Sequence, residues 1–186
     1  MYISTKNYGP EEGFAVAYRQ WRADRKSGKP VGEVYSKDEI PGCSALHGYA
    51  MSFYFEFQST TVDARNWVVD FGSLKPLKEF LKENFDHTTL VASDDPHHAE
   101  YVKWRELGLL KLVEVEATGC EALSKFLYDY VNEIFLPSHY PTGSQEIHCR
   151  MVRVQETPAN SAWFEGQPGD SDGTGSLAEH KEEWNE

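Results

Sequence analysis

Residues 49–58 form a run in which apolar and polar side chains alternate with a period of two. Met51, Phe53, Phe55 and Phe57 occupy every second position of the run. Because successive side chains of a β-strand point to opposite faces, this pattern predicts a long strand with one buried, largely aromatic face. The chain is therefore expected to build a sheet that is covered on one side.

Further strands and helices follow from the spacing of the apolar residues. The predicted elements are strands over residues 14–21, 66–71, 111–116 and 147–156, and helices over residues 73–85, 99–107 and 120–135. Ser73 is the predicted N-cap of the first helix, and residues 86–98 are predicted to form a polar loop. This order favours an α+β fold with an antiparallel sheet and helices packed on one face. Long antiparallel edges also favour closure into an oligomeric barrel.

Composition limits the domain count and the partners. Residues 1–165 are predicted to form one folded domain, and residues 166–186, rich in Gly, Ser, Asp and Glu, an acidic, disordered tail. The net charge of −12 disfavours nucleic acid as a partner. The chain has no apolar run near the roughly 20 residues of a membrane span, and its start lacks a signal-peptide pattern. Three sparse cysteines do not suggest a disulfide framework, so a cytoplasmic protein is predicted.

One short segment is basic, although the chain as a whole is acidic, because it contains five basic residues. They are Arg19, Arg22, Arg25, Lys26 and Lys29. Such a cluster is typical of a solvated loop. It also fits an anion site for a phosphorylated small molecule, and the sequence leaves both interpretations open.

Five residues in three segments have side chains suited to proton transfer or ring binding. Cys43 and His47 precede the long strand, Asp86 and His87 follow the first helix, and Glu156 ends the last strand. A thiol beside a cation or imidazole can become a nucleophile or base, and an Asp–His pair can relay protons. A buried carboxylate can accept two parallel hydrogen bonds from a guanidine-like ring edge. Each residue alone also fits a structural role.

Taken together and in order, these segments resemble the 6-pyruvoyl-tetrahydropterin synthase / 6-carboxytetrahydropterin synthase family, which has the tunnelling fold. The similar segments are residues 14–18 (FAVAY), 43–49 (CSALHGY), 69–75 (VDFGSLK), 85–90 (FDHTTL), 120–123 (CEAL) and 156–157 (ET). They extend over nearly the whole predicted domain, and the spaced set is more specific than any one of its pieces.

The resemblance implies a lyase that uses Cys43, Asp86 and His87 for proton transfer, anchors the pterin on Glu156 and shapes the pocket with Glu121. The implied substrate is 7,8-dihydroneopterin triphosphate. The implied product is 6-carboxy-5,6,7,8-tetrahydropterin for 7-deazaguanine (queuosine-type) synthesis, with release of triphosphate and acetaldehyde. The resemblance also implies a homo-oligomeric ring of subunits with sites at the subunit interfaces.

The chain departs from this family at the zinc ligands. The family holds zinc with three histidines. Here Tyr18 and Tyr49 stand at two of those positions, and His47 is the one histidine that remains. A neutral tyrosine is a poor zinc ligand, so zinc is expected to be absent or altered. Three interpretations follow. The chain is a synthase in which Tyr18 and Tyr49 contact the substrate as hydrogen-bond donors, or it has a zinc site completed by His97, His98 or His148. The third interpretation is a non-catalytic domain that binds a pterin or purine, or serves as an interaction module.

Overall fold

The computed structural model describes residues 1–24, 42–140 and 145–170. Its regular structure there comprises seven strands, four α-helices, a π-helix (Val131–Phe135) and four short 3-10 helices. The strands are β1 (Tyr2–Tyr8), β2 (Phe14–Tyr18), β3 (His47–Ser59), β4 (Thr88–Ala92), β5 (Leu112–Val115), β6 (His148–Thr157) and β7 (Asn160–Glu165). The helices are α1 (Lys75–Phe85), α2 (His98–Glu106), α3 (Cys120–Tyr130) and α4 (Leu136–His139). Most of the predicted tail, residues 171–186, lies outside the described residues.

The strands form one mixed sheet in the order β5-β4-β2-β3-β6-β7, with β1 also paired to β3. β2 pairs with the first part of β3 and β1 with the remainder, so both lie along the same edge of that strand. The α+β class predicted from the sequence is confirmed. The sheet is not purely antiparallel, however, because β4 pairs with both β2 and β5 in parallel.

The aromatic face of β3 is the centre of the core. Met51, Phe53, Phe55 and Phe57 are fully buried, and Phe53 packs against Phe85 of α1 with ring centroids 5.0 Å apart. Each such aromatic side chain contributes about 1.5–3 kcal/mol through burial. The structure therefore contains the long strand with one buried face that the sequence predicted.

Two helices cover this face together. Tyr128 of α3 packs on Phe164, which lies opposite Val152 and therefore on the same face as Phe55. Phe80 of α1 stacks on Tyr130 at the end of α3 with ring centroids 3.6 Å apart. The prediction that helices pack on one face holds for α1 and α3. It is wrong for α2, which uses Tyr101 to pack on Val91 and Leu112, on the opposite face of β4 and β5.

Two local predictions are wrong for identifiable reasons. Residues 66–71 form a turn and not a strand, because the Asp63 carboxylate accepts hydrogen bonds from the backbone N–H of Arg65 and of Trp67. The predicted loop over residues 86–98 contains β4, whose five residues are all buried.

The start of the first helix also differs from the prediction, because Ser73 is not its N-cap. Ser73 lies in a 3-10 turn, Phe71–Leu74, where its hydroxyl donates to the Asp70 carbonyl at 2.7 Å. Asp70 caps this turn by accepting from the Gly72 N–H, and α1 begins at Lys75. No helix in the described ranges combines the length and apolar character needed to cross a membrane.

Candidate active site

A cluster of aromatic rings lies where β2 ends and β3 begins. The antiparallel register places Tyr18 opposite His47 and Val16 opposite Tyr49. The rings of Tyr18 and Tyr49 have centroids 4.8 Å apart, and those of His47 and Tyr49 are 4.7 Å apart. Three residues that the sequence assigned to substrate or metal binding therefore meet in one centre, which we call the Tyr–His–Tyr centre (Tyr18, His47 and Tyr49).

Glu156 reaches this centre from β6, which pairs with β3 on the edge opposite β2. The register of β6 and β7 shifts between Gln155 and Thr157, so Glu156 has no partner residue on β7. A bulge of this kind re-aims a side chain, and the carboxylate of Glu156 accepts a hydrogen bond from the Tyr18 hydroxyl. Burial and then the neighbouring Glu156 raise the pKa of the Tyr18 phenol well above its usual value, so this phenol is neutral and donates.

The hydrogen bonds of His47 define the state of its ring. Nδ1 lies 2.6 Å from the carbonyl oxygen of Ala45, and a carbonyl can only accept. Nδ1 therefore carries the proton in the neutral ring, and Nε2 accepts from the Tyr49 hydroxyl. Burial, followed by the charge of Glu156, raises the pKa of Tyr49 to about 12, so this phenol too is a donor at neutral pH.

Cys43 lies beside the centre on a short 3-10 turn, Gly42–Ser44, and is exposed. Its carbonyl accepts a hydrogen bond from the backbone N–H of Gln20 at 2.8 Å, which fixes the turn next to the end of β2. The Cys43 side chain is close enough to Tyr49 to act on the pKa of its phenol. A cavity of about 290 Å³ is lined by the residues that follow β2, namely Gln20, Trp21, Arg22 and Ala23, together with Thr118.

Helix α3 brings two further groups to the same end of the sheet. The Glu121 carboxylate and the Gln20 amide both lie beside Gly119, on the side where a Cβ would stand. Cys120 is buried next to Glu156, and burial followed by the charges of Glu156 and Glu121 raises the pKa of its thiol to about 12. The sequence analysis did not single out Cys120, although its position between Gly119 and Glu121 at a helix start was the available signal.

The Asp86–His87 pair lies at the opposite end of β2 from Cys43. Asp86 Oδ1 is 2.7 Å from His87 Nδ1, so the carboxylate orients the ring and leaves Nε2 available. The His87 side chain is 84% exposed, and His87 has a positive φ of 56°. Thr88 pairs with Val16, which places His87 beside the start of β2. At about 3.3 Å per residue, the pair is roughly 15 Å from Cys43 within one chain.

Both arginines of the basic segment that the structure describes pair with carboxylates, and the anion site that the sequence left open stays a prediction. Arg19 binds Asp95 through two parallel contacts, Nε–Oδ2 at 2.9 Å and Nη2–Oδ1 at 3.1 Å. Arg22 pairs with Asp94, which also accepts from the Trp21 indole at 3.0 Å. These two cations are neutralised by acidic partners that the sequence analysis did not identify. Arg25, Lys26 and Lys29 lie outside the described residues.

The histidines proposed to complete a zinc site lie elsewhere. His98 contacts Glu114 at 3.1 Å, His97 contacts Glu100 at 3.8 Å, and His148 contacts the Tyr128 hydroxyl at 3.1 Å. Within one chain, each of these three histidines therefore has its contacts with residues other than His47. Among the described residues, no group of three or more His, Cys, Asp or Glu side chains is arranged to hold a metal ion.

Comparison with protein families gives a match over most of the chain. Residues 10–167 match the family model described as 6-pyruvoyl tetrahydropterin synthase. The chain belongs to this family. Its sequence is 28% identical over 123 residues to a protein from Aquifex aeolicus named 6-carboxy-5,6,7,8-tetrahydropterin synthase, which covers 64% of this chain and 75% of that protein. A Rickettsia conorii protein of the same name is 31% identical over 62 residues, 33% of this chain and 45% of its own length.

Solved structures of other proteins show the same fold. The 6-pyruvoyl tetrahydropterin synthase of Plasmodium vivax superposes with a TM-score of 0.52 and 14% identity, over 90% of this chain and 99% of that one. An uncharacterized protein from Wolinella succinogenes superposes with a TM-score of 0.66 and 20% identity, over 89% and 98% of the two chains. The tunnelling fold predicted from the sequence is therefore confirmed.

Proposed function

We propose that the chain is a tetrahydropterin synthase-type lyase that converts 7,8-dihydroneopterin triphosphate into 6-carboxy-5,6,7,8-tetrahydropterin, for 7-deazaguanine synthesis of the queuosine type. Family membership and the names of the curated relatives support this proposal. The observation that carries it is that the Glu156 carboxylate accepts from Tyr18 at the end of β2, where the Cys43 carbonyl accepts from the Gln20 N–H at 2.8 Å. A thiol and a carboxylate from distant segments thus lie at the same end of β2.

Glu156 is proposed to bind the pterin ring. The 2-amino-4-oxo edge of a pterin presents two parallel N–H donors, which match the two oxygens of a carboxylate. Tyr18 already donates to Oε1 of Glu156, and each carboxylate oxygen has lone pairs for more than one donor. The bulge at Glu156 holds the carboxylate at the end of the sheet, where a ring can reach it. Glu121, Tyr18 and Tyr49 are proposed to line the same pocket.

Cys43 and the Asp86–His87 pair are proposed to move the protons. Cys43 as a thiolate removes a proton from the substrate side chain, which is the role for which an exposed thiol is suited. His87, oriented by Asp86 through Nδ1, returns a proton from Nε2 as triphosphate leaves. Addition of a water molecule to the side-chain carbonyl next to the ring, followed by cleavage of the carbon–carbon bond beyond it, then leaves the carboxylate on the ring and releases acetaldehyde.

This division of roles requires two copies of the chain. Cys43 and His87 lie roughly 15 Å apart within one chain, beyond the reach of one side-chain carbon and its proton. The Asp86–His87 pair is exposed and so is able to contact a neighbouring copy. We therefore place each active site at a subunit interface, with Cys43 and Glu156 from one subunit and an Asp86–His87 pair from another.

The sheet edges offer a route to such an assembly. In the described part of the chain, β1 and β7 each pair on one side only. They run antiparallel to each other, so β1 of one copy can continue the sheet at β7 of the next and remove both edges. Apolar side chains of Tyr2, Ile3, Trp67 and Phe71 are exposed near β1 and line a cavity of about 360 Å³ there.

Complementation between two inactive variants tests the composite site. Cys43→Ala and His87→Ala are each expected to abolish turnover of dihydroneopterin triphosphate, measured as triphosphate and acetaldehyde release. When the two variants are mixed one to one and reassembled, about a quarter of the interfaces are expected to be active. This is the fraction in which, by chance, one subunit supplies an intact Cys43 and its neighbour an intact His87. No recovery in a mixture shown to exchange subunits would place both groups in one chain.

A second candidate, a pterin-binding domain without turnover, is favoured by one observation. Two of the family's three zinc-ligand positions are tyrosines here, and both phenols are already bonded within the chain. Incubation of the purified protein with dihydroneopterin triphosphate separates the two candidates. Binding of the pterin without release of triphosphate or acetaldehyde would overturn the lyase and leave the binding domain.

A further inference from the structure

We propose that the Tyr–His–Tyr centre is a metal-free hydrogen-bonding centre, in which protein partners engage every atom that a zinc ion would use in this family. The zinc that the family implies does not fit the residues present. The inference concerns the chain's own side chains and does not depend on the reaction proposed above.

His47 keeps the one imidazole at these positions, but both of its ring nitrogens are engaged by protein partners. Since Nδ1 donates to the Ala45 carbonyl at 2.6 Å, the lone pair of the ring lies on Nε2. The Tyr49 hydroxyl donates to that lone pair. A zinc ion at Nε2 would have to displace the Tyr49 hydroxyl, and the same tyrosine stands where the family has a second zinc ligand.

Tyr18, at the remaining ligand position, faces a different partner. Its side chain is buried, and its hydroxyl donates to the Glu156 carboxylate. This bond uses the phenol proton, and the negative carboxylate beside it favours the protonated form. A protonated phenol is a poor zinc ligand beside imidazole or thiolate. Tyr18 therefore acts as a positioning residue for Glu156.

Other side chains near the centre do not make up for the lost ligands. Cys43, Cys120, Glu156 and His47 lie around the centre, yet within the described ranges they form no group arranged to hold a metal. Cys120 is buried and Glu156 is occupied by Tyr18. Catalytic zinc sites use three protein ligands, and only one is retained here. The centre instead presents two neutral phenols whose single O–H donors are used by Glu156 and by His47, so a substrate oxygen could accept from them only by replacing those partners.

Restoring the histidines is the decisive experiment. The full chain is expressed with zinc supplementation, dialysed, and analysed for bound metal by mass spectrometry and by competition with a chromophoric chelator. The wild type is expected to retain at most about a tenth of an equivalent, and Tyr18→His/Tyr49→His about one equivalent, because a three-histidine set is then complete. Tyr18→Phe/Tyr49→Phe removes the hydroxyls without adding ligands and is expected to bind no more zinc than the wild type.

Two outcomes would overturn the proposal. Wild-type protein that holds a full equivalent of zinc, lost in His47→Ala, would show that the tyrosines do not prevent metal binding. A folded Tyr18→His/Tyr49→His variant that binds no zinc would show that the two tyrosines are not the reason why the wild type lacks the metal. If that variant does not fold, the wild-type metal content and its dependence on His47 still decide the question. Neither readout involves turnover, so a failure of the proposed lyase activity leaves the result intact.

Discussion

The hydroxyl of Tyr18 donates a hydrogen bond to the carboxylate of Glu156, which lies 138 residues further along the chain. This bond joins the end of β2 to the bulge between β6 and β7. It makes the orientation of the proposed pterin anchor depend on a residue of another strand. The Tyr18 side chain is buried, so water cannot replace the lost donor easily.

Tyr18→Phe is therefore expected to weaken pterin binding by about tenfold, because an unoriented carboxylate loses about 1.4 kcal/mol of preorganised binding. Isothermal titration with a dihydropterin measures the change. Tyr54→Phe is the matched control, since Tyr54 donates to Glu56 at 3.0 Å on the opposite face of the sheet. Equal losses in the two variants would mean that the Tyr18–Glu156 bond has no special role.

Cys43→Ala is expected to reduce turnover at least about 100-fold while pterin affinity stays within about twofold, because a proton-transfer group is lost and the anchor is kept. Cys43 is exposed, whereas Cys120 and Cys149 are buried. Iodoacetamide should thus modify one thiol of the native wild type and none of the variant, as counted by mass spectrometry. Turnover that survives both treatments would exclude Cys43 as the base.

His148 is expected to make the protein less stable in mild acid. Burial lowers the pKa of its ring, whose Nε2 contacts the Gly166 carbonyl at 3.3 Å. Below about pH 6.5 the unfolded chain then binds a proton that the folded chain resists, so the free energy of unfolding falls as the pH falls. In urea titrations, the free energy of unfolding should differ less between pH 7.5 and pH 5.5 for His148→Gln than for the wild type. Identical differences would contradict the assignment.

Phe53 is expected to be essential for the fold. Its ring packs against Phe14 at 5.1 Å and Phe85 at 5.0 Å, so it joins β2 and α1 to the long strand. Phe53→Ala should lower the free energy of unfolding by about 3–5 kcal/mol in denaturant titrations. Leu109→Ala, at a position that is 71% exposed, should change it by no more than about 0.5 kcal/mol. A small effect of Phe53→Ala would mean that the core relaxes around the cavity.

The sequence predicted the long strand because its aromatic residues have a period that only a strand explains. It missed β4 because Thr88 and Thr89 follow the Asp86–His87 pair and look polar, although both are buried. Their β-branched side chains were the signal for a strand. Residues 66–71 gave the opposite error, because a strand was predicted where the structure has a turn. Val68 and Val69 are buried there, but the turn is fixed by the Asp63 side chain several residues away.

For the site, the resemblance brought together Tyr18, His47, Tyr49 and Glu156, which the structure also clusters. The partners of these residues could not be predicted from spacing. The Ala45 carbonyl that selects the His47 tautomer is a backbone group, and a sequence does not show where such a group points. The pairing of Arg19 with Asp95 depends likewise on the end of β4 lying next to the end of β2.

His47 and Tyr49 occupy the same parity on β3 as Met51, Phe53, Phe55 and Phe57. The site is consequently the open end of the stripe that forms the core. A one-residue insertion or deletion between Tyr49 and Met51 would invert the alternation on one side of the change, so the Tyr–His–Tyr centre and the aromatic stripe would no longer share a face. Replacement of one side chain by another, as at Tyr18 and Tyr49, leaves this alternation unchanged.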